Sequence, residues 1–307
     1  MANPRTFQIQ EISAHPGPVP GRGVRREDEV CKYIDVTTCI GCKACEVACV
    51  EWNDHPFRET TFNDTYQTMP TTEWNYYNLI KFAEDQRGDN LMWLLRKDQC
   101  MHCEDPGCLR ACPADGAIVK FENGIVDFQQ ENCIGCGYCI SGCPFDIPKF
   151  NPTTKKVYKC TLCSDRVGQG LEPACVKACP TGCLKFGTKS DMVQIAGLRA
   201  KQLREVSGFA DAGVYDPASI GGTHVIYVLH DIKAPDRYGL PANPVIPPSY
   251  TYWKWFAKPI GLGLGVLGVA AVFFHRVFYG PKLPQPEPPE IRTGPPQEIE
   301  AGRKEAP

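Results

Sequence analysis

An α+β chain, with short strands and helices gathered around four groups of cysteines and one apolar helix near the C-terminal end, is predicted by three observations. Sixteen of the 18 cysteines fall into four quartets whose spacings repeat along the chain. A strand–turn–strand pattern around Asn123-Gly124 separates the second quartet from the third. The 16 residues from Pro259 to Phe274 carry no charge.

The most regular quartet, Cys133-Ile134-Gly135-Cys136-Gly137-Tyr138-Cys139-Ile140-Ser141-Gly142-Cys143-Pro144, matches the C-x2-C-x2-C-x3-C-P run of bacterial ferredoxins. Three close thiolates in a tight loop wrap one cubane. The fourth starts a helix and points towards a second cluster. Gly135, Gly137 and Gly142 let the backbone approach and aim N–H groups at sulfur. Pro144 suits a first helical turn, where its missing N–H is not needed.

Balanced charge, 33 basic against 35 acidic residues, gives no reason to expect a nucleic-acid partner. A chain of 307 residues is also too long for a small disulfide-stapled secreted domain. Arg25-Arg26 is followed by Glu27-Asp28-Glu29 instead of an apolar run, so no signal segment is expected there. The thiols are therefore expected to be metal ligands loaded in the reducing cytoplasm.

In chain order, residues 1–30 read as an irregular arm rich in Pro and Gly. A four-cluster domain is expected over 31–189. Its first quartet is Cys39, Cys42, Cys45 and Cys49, with Val50 where proline is usual. Cys39-Ile40-Gly41-Cys42 recurs as Cys133-Ile134-Gly135-Cys136, the mark of an internal duplication. An insert over 50–99 carries Trp52, Trp74, Tyr76, Tyr77 and Trp93, rings expected to pack as a lobe over the clusters. The second quartet is Cys100, Cys103, Cys108 and Cys112-Pro113. His102, inside it, is expected to hydrogen-bond, since four cysteines already suffice for iron. Strands over 117–121 and 125–128 form a hairpin with an Asn-Gly turn. The fourth quartet is Cys160, Cys163, Cys175 and Cys179-Pro180. Alone, Cys160-Thr161-Leu162-Cys163 also suits a redox dithiol or half a zinc site, but the closing C-x3-C-P makes both minor readings.

A helix-and-strand appendage follows over 190–250. Ser190 caps a helix over 191–206, and 224–230 read as a buried strand whose His224 and His230 take structural places. The span 253–279 reads as a transmembrane helix with Trp253, Trp255 and Tyr279 at the interfaces and Lys258 and Arg276 snorkelling. Gly261, Gly263, Gly265 and Gly268 would each cost a water-exposed helix up to about 1 kcal/mol, whereas between membrane helices they permit close packing. His275 is expected to be interfacial without a redox role. Residues 281–307 form a Pro- and Glu-rich disordered tail.

Sixteen thiolates, four per cubane, hold four 4Fe–4S clusters. Cys31 and Cys183 remain as buried small hydrophobes. No nucleotide fingerprint, P-loop or nucleophile–base pair is recognisable. The chain therefore reads as an electron carrier without catalysis of its own. A zinc-stabilised interaction protein is the alternative from another class.

The motifs Cys39-Ile-Gly-Cys-Lys-Ala-Cys45, Arg96-Lys-Asp-Gln-Cys-Met-His-Cys-Glu-Asp-Pro-Gly-Cys108, Glu131-Asn-Cys-Ile-Gly-Cys-Gly-Tyr-Cys139 and Tyr158-Lys-Cys-Thr-Leu-Cys163 resemble the iron–sulfur (beta) subunit of membrane-bound respiratory formate dehydrogenase. Gly221-Gly-Thr-His-Val-Ile-Tyr-Val-Leu-His230 and the C-terminal anchor match it too. The resemblance covers roughly residues 30 to 280. Cys31 and Cys183 depart from its pattern, and no cysteine is replaced by tryptophan as in the related nitrate reductase subunit. It implies a molybdenum or tungsten catalytic (alpha) subunit, a cytochrome b (gamma) membrane subunit, and quinone as acceptor. It also implies the bacterial inner membrane, with a single pass and a periplasmic soluble part. The same relay in a dimethyl sulfoxide or polysulfide reductase is the runner-up.

Because the last cysteine of each run serves another run's cluster, quartets must pair. Sequence neighbours could pair, or the second and third could pair inside the first and fourth. The hairpin between the second and third quartets favours nesting, and the family resemblance implies it. Two ferredoxin-like two-cluster modules are then expected. The outer one holds Cys39, Cys42, Cys45 with Cys179, and Cys160, Cys163, Cys175 with Cys49. The inner one holds Cys100, Cys103, Cys108 with Cys143, and Cys133, Cys136, Cys139 with Cys112.

Overall fold

The structure is a computed structural model and describes residues 28–280 apart from 57–61, 63, 88 and 253–255. It divides into two units, with the boundary between Trp253 and Lys254. The first unit carries β1 (Val30–Asp35), α1 (Ala44–Trp52), β2 (Leu79–Arg87), β3 (Asn90–Asp98), α2 (Gly107–Ala111), β4 (Ile118–Lys120) and β5 (Val126–Phe128). It continues with α3 (Tyr138–Ser141), β6 (Lys149–Asn151), β7 (Lys156–Tyr158), α4 (Ser164–Val167), α5 (Ala174–Lys177), β8 (Leu184–Thr188), α6 (Lys189–Glu205), β9 (Gly213–Tyr215), β10 (Val225–Leu229) and α7 (Ser249–Tyr252). The second unit carries α8 (Lys258–Tyr279).

The largest sheet has the order β8-β1-β10-β9, with β1 parallel to β10 and antiparallel to β8. Side chains alternate along β1, so its two faces bury different things. Cys31 and Tyr33 pack with Met192, Ala196, Ala200 and Leu203, the inward stripe of α6 at helical spacing. Val30 and Ile34 lie in the other layer, with Cys45, Cys103 and Cys175. Burying a side chain such as Leu203 stabilises the layer by about 1.5–3 kcal/mol. β10, the strand expected within the 190–250 appendage, and the unexpected β9 beside it thus share one sheet with strands flanking the cysteine quartets. Helix α6 begins two residues earlier than expected, because the Thr188 hydroxyl, not Ser190, accepts the Asp191 N–H at 3.3 Å.

The hairpin expected between the second and third quartets is present as β4 and β5, with Ile118 opposite Phe128. Its turn runs from Phe121 to Gly124, closed by Gly124 N–H donating to Phe121 O at 2.9 Å. Asn123 O accepts the Val30 N–H at 3.0 Å, which ties the hairpin to the start of β1. Gly124 has φ 86°, and a Cβ there would stand 1.9 Å from His224 Nε2. His224 is itself buried and fixed through Nδ1 to His102 O at 2.9 Å.

Within the 50–99 insert, β2 and β3 form a nine-pair hairpin from Leu79↔Asp98 to Arg87↔Asn90. Tyr77 is buried against Cys49, Cys100 and Cys160, as a covering ring should be. Trp93 is 54% exposed instead, on the outer side of its strand. Trp52 lies against the Arg166 guanidinium, 4.2 Å from its ring centroid, and donates to Asp165 Oδ2.

In the second unit, α8 has 22 residues and a mean hydropathy of 1.8 over its most apolar stretch, with none of that stretch buried. At 1.5 Å per residue it is about 33 Å long, enough for a hydrocarbon layer of about 30 Å. Its four glycines present open faces, with nothing within 4 Å of an added Cβ. Trp253 and Trp255, the arm before residue 28 and the tail after 280 lie outside the described residues.

Gly124→Ala is expected to lower stability by about 2–3 kcal/mol, through left-handed strain and overpacking on a buried ring. Thermal unfolding under anaerobic conditions checks this, with Gly197→Ala as control. Gly197 lies inside α6 with nothing within 4 Å, so that change should be neutral or stabilising.

Candidate metal centres

Each cysteine group begins with one tight turn. The residue two positions after the first cysteine has positive φ in all four quartets: Gly41 66°, His102 46°, Gly135 70° and Leu162 55°. This turn brings backbone donors to sulfur. His102 N–H donates to Cys100 Sγ and Leu162 N–H to Cys160 Sγ, both at 3.5 Å. The fourfold recurrence is the internal repeat in three dimensions. At His102 and Leu162 a non-glycine residue accepts a strained backbone to keep it.

Helices α2 and α3 cross at close range because Gly107 and Gly142 face one another. A Cβ on Gly107 would stand 2.2 Å from Gly142 O. The crossing sends the last cysteine of each run into the other run's cavity. Cys143 joins Cys100, Cys103 and Cys108 around about 330 Å³. Cys112 joins Cys133, Cys136 and Cys139 around about 310 Å³. The outer module repeats the exchange with α1 packed on α5. Cys179 joins Cys39, Cys42 and Cys45 around about 400 Å³, open mouth included. Cys49 packs with Cys160 and lies within the electrostatic reach of Cys175 and Cys163.

Cys183 is buried, as expected, and it also lines the Cys39 cavity with its Sγ 3.4 Å from Cys179 Sγ. Its hydrogen bonds hold Cys179 down to about 5 and Cys39 to about 7. Burial pushes Cys45, Cys139 and Cys163 up to about 12. Those thiols therefore become thiolates only in the company of a metal, and loading releases protons. Cys31 sits beneath α6, away from the four groups, as a small hydrophobe.

Three lysines, a residue type that is ordinarily solvated, are buried. Lys32, Lys97 and Lys159 are 0%, 2% and 2% exposed. Lys32 Nζ stands 3.2 Å from Cys175 Sγ and 3.2 Å from Gln99 Oε1. Lys97 lines the Cys39 cavity and donates to the same Gln99 oxygen. Lys159 lines the Cys100 cavity and donates to Val126 O and Cys160 O. Among the described residues none of the three makes an ion pair with a carboxylate. Burial alone would pull the Lys32 ammonium down, yet the Cys175, Cys160 and Cys163 sulfurs outweigh it.

These observations test whether an iron–sulfur group fits. Buried ammonium groups without carboxylates need an anion close by, and thiolate-bound clusters supply one. Gln99 Nε2 and His102 Nε2 are among the buried side-chain nitrogens that lack a protein partner. His102 Nδ1 accepts the Val126 N–H, so Nε2 carries the proton, and the ring lines the Cys100 cavity. Its hydrogen bond is the one sequence led us to expect. The donor set fits.

Cysteine cavities in pairs, fed by crossed helices, define a dicluster iron–sulfur electron carrier. Two families described as 4Fe-4S dicluster domains match residues 38–116 and 91–189. One described as formate dehydrogenase N, transmembrane, matches residues 246–289. The formate dehydrogenase-O iron–sulfur subunit of Escherichia coli (strain K12) is 53% identical over 286 residues, 90% of this chain and 93% of the relative. The nitrate-inducible formate dehydrogenase iron–sulfur subunit of the same organism is 52% identical over 254 residues, 82% and 86% of the two chains. The formate dehydrogenase iron–sulfur subunit of Haemophilus influenzae is 48% identical over 283 residues, 91% and 90%. The chain belongs to the family of formate dehydrogenase iron–sulfur subunits. It is a non-catalytic electron-transfer subunit, with four 4Fe–4S clusters and a membrane anchor. The family replaces the zinc alternative, and the relatives' names favour formate dehydrogenase over other reductases.

Cys31→Ser and Cys183→Ser are each expected to keep about sixteen iron atoms per chain, four for each of four clusters. Iron analysis of the purified protein checks this. Loss of about four irons in the Cys183 variant would make it, and not Cys179, the fourth ligand of the Cys39 group.

Proposed function

We propose that the chain relays electrons in the order Cys39 group, Cys160 group, Cys100 group, Cys133 group, with the sixteen cysteines paired in the nested arrangement. We further propose a molybdenum or tungsten catalytic subunit at one end, and a cytochrome b subunit and quinone at the other, with the soluble unit on the periplasmic face of the inner membrane. The observation that carries the reading is the contiguity of the four groups. α1 and α5 join the first two, and α2 and α3 join the last two. Cys49, Cys160 and Cys100 lie in one packed cluster that bridges the modules.

When bound, each cluster stores and releases one electron without bond rearrangement. The protein's work is to hold, space and dry the sites. Met101 and Leu162, 2% and 0% exposed, shut water out of the middle of the row. Both ends are open. Cys42 and Cys136 are exposed, and their neighbours Ile40 and Ile134 are 63% and 67% exposed. The first unit ends with α7 packed on α2 and Tyr250 OH 2.6 Å from Ser141 Oγ. The chain therefore leaves this unit beside the inner module, which supports that module as the membrane-side half of the relay.

Cys103→Ser is expected to stop electron flow from formate to quinone in the purified complex, while the catalytic subunit still reduces an artificial dye directly. Quinone reduction at the unmodified rate would contradict the relay. A chain ending at Tyr252 is expected to leave the membrane with its iron retained, as fractionation and iron analysis would show. Iron loss would make α8 part of the cluster fold.

A further inference from the structure

The three buried lysines are not needed to ligate iron, although Lys97 and Lys159 fall within the cysteine-bearing stretches quoted above. Their placement is selective. Lys97 lines the Cys39 cavity, Lys32 touches a sulfur of the Cys160 group, and Lys159 lines the Cys100 cavity. None of the side chains lining the Cys133 cavity is charged. Apart from the Cys175 sulfur at Lys32, the acceptors that hold the three are uncharged oxygens: Gln99 Oε1, shared by Lys97 and Lys32, and the Val126 and Cys160 carbonyls. Three separate elements deliver them, β1, β3 and the segment after β7, so no single local motif explains the set.

We propose that Lys97, Lys32 and Lys159 are internal counter-cations that hold up the reduction potentials of the first three groups of the relay, while the fourth has none. This rests on the relay reading above. An electron arriving at any group adds negative charge there and leaves its donor oxidised by one electron. A fixed positive charge in a dry site stabilises the reduced form more than the oxidised form, and water does not screen it. Gln99 couples two of the three cations through one oxygen, so the first two groups should respond together to its loss.

The test uses the intact complex carrying Lys32→Gln, Lys97→Gln or Lys159→Gln, with Lys→Arg at each position as the partner variant. Glutamine keeps hydrogen bonding and removes the charge, whereas arginine keeps the charge. The readouts are iron content and potentiometric titration followed by electron paramagnetic resonance. Each glutamine variant should move at least one midpoint down by a tenfold change in the reduction equilibrium, about 59 mV for a one-electron couple. The arginine variants should move it less, and at least one midpoint should stay fixed in all three glutamine variants. A glutamine variant that loses iron, restored by arginine, also supports the role of charge. Fully loaded glutamine variants with all four midpoints unmoved would overturn the proposal, as would iron loss in both members of a pair. An unmodified chain with fewer than four clusters would instead overturn the relay reading.

Discussion

Sulfur meeting sulfur across crossed helices is the constraint on which the first unit depends. Three of its four packed clusters of buried side chains contain cysteines from the quartets. The cluster under α6 holds none of them, and on the other face of the sheet Ile34, Ile80, Leu94, Phe186 and Tyr227 pack as an apolar layer around Cys45, Cys103 and Cys175. The cavities open within this apolar packing, Ile34, Ile80, Leu95 and Leu184 lining that of Cys39, and buried ammonium groups without carboxylate ion pairs stand beside them. Such a fold is incomplete until anionic clusters fill it, so cluster loading and folding are coupled.

The exchange of cysteines between runs follows from helix geometry. A C-x3-C spacing puts the two sulfurs on one face of a short helix, a turn apart, so each serves a different group. Gly107 and Gly142 let two such helices approach until the exchange closes. The family match over 38–116 takes in the first two quartets as sequence neighbours. In space, though, the Cys39 cavity includes Cys179. A linear match counts motifs, whereas the cavity reports which thiols meet.

Much of this was legible in the sequence, because thiol spacing, an Asn-Gly hairpin and an uncharged run are local signals. β4, β5, β10 and α8 lie where these signals put them. Lys32, Lys97 and Lys159 were not legible. Lysine normally reads as solvated surface, and only long-range packing shows a strand's alternation turning Lys32 inward. The nearest signals were positional: Lys159 directly precedes Cys160, and Lys97 lies three residues before Cys100. The burial of Cys183 was legible, but its nearness to a quartet was not, for a related reason. It sits four residues after Cys179, just before β8, and only the return of the chain brings its sulfur to the Cys39 cavity. The parallel pairing of β1 with β10 also joins segments far apart in sequence, which no local pattern encodes.

The nested grouping of the cysteines is the central claim, and anomalous scattering at the iron edge from crystals of the intact complex tests it most directly. Four compact iron sites should appear, with the Cys179 sulfur about 2.3 Å from iron in the cluster of Cys39, Cys42 and Cys45, a length taken from metal–thiolate bonds. Cys179 bound instead to the cluster of Cys133, Cys136 and Cys139, or Cys49 to that of Cys100, Cys103 and Cys108, would contradict the account.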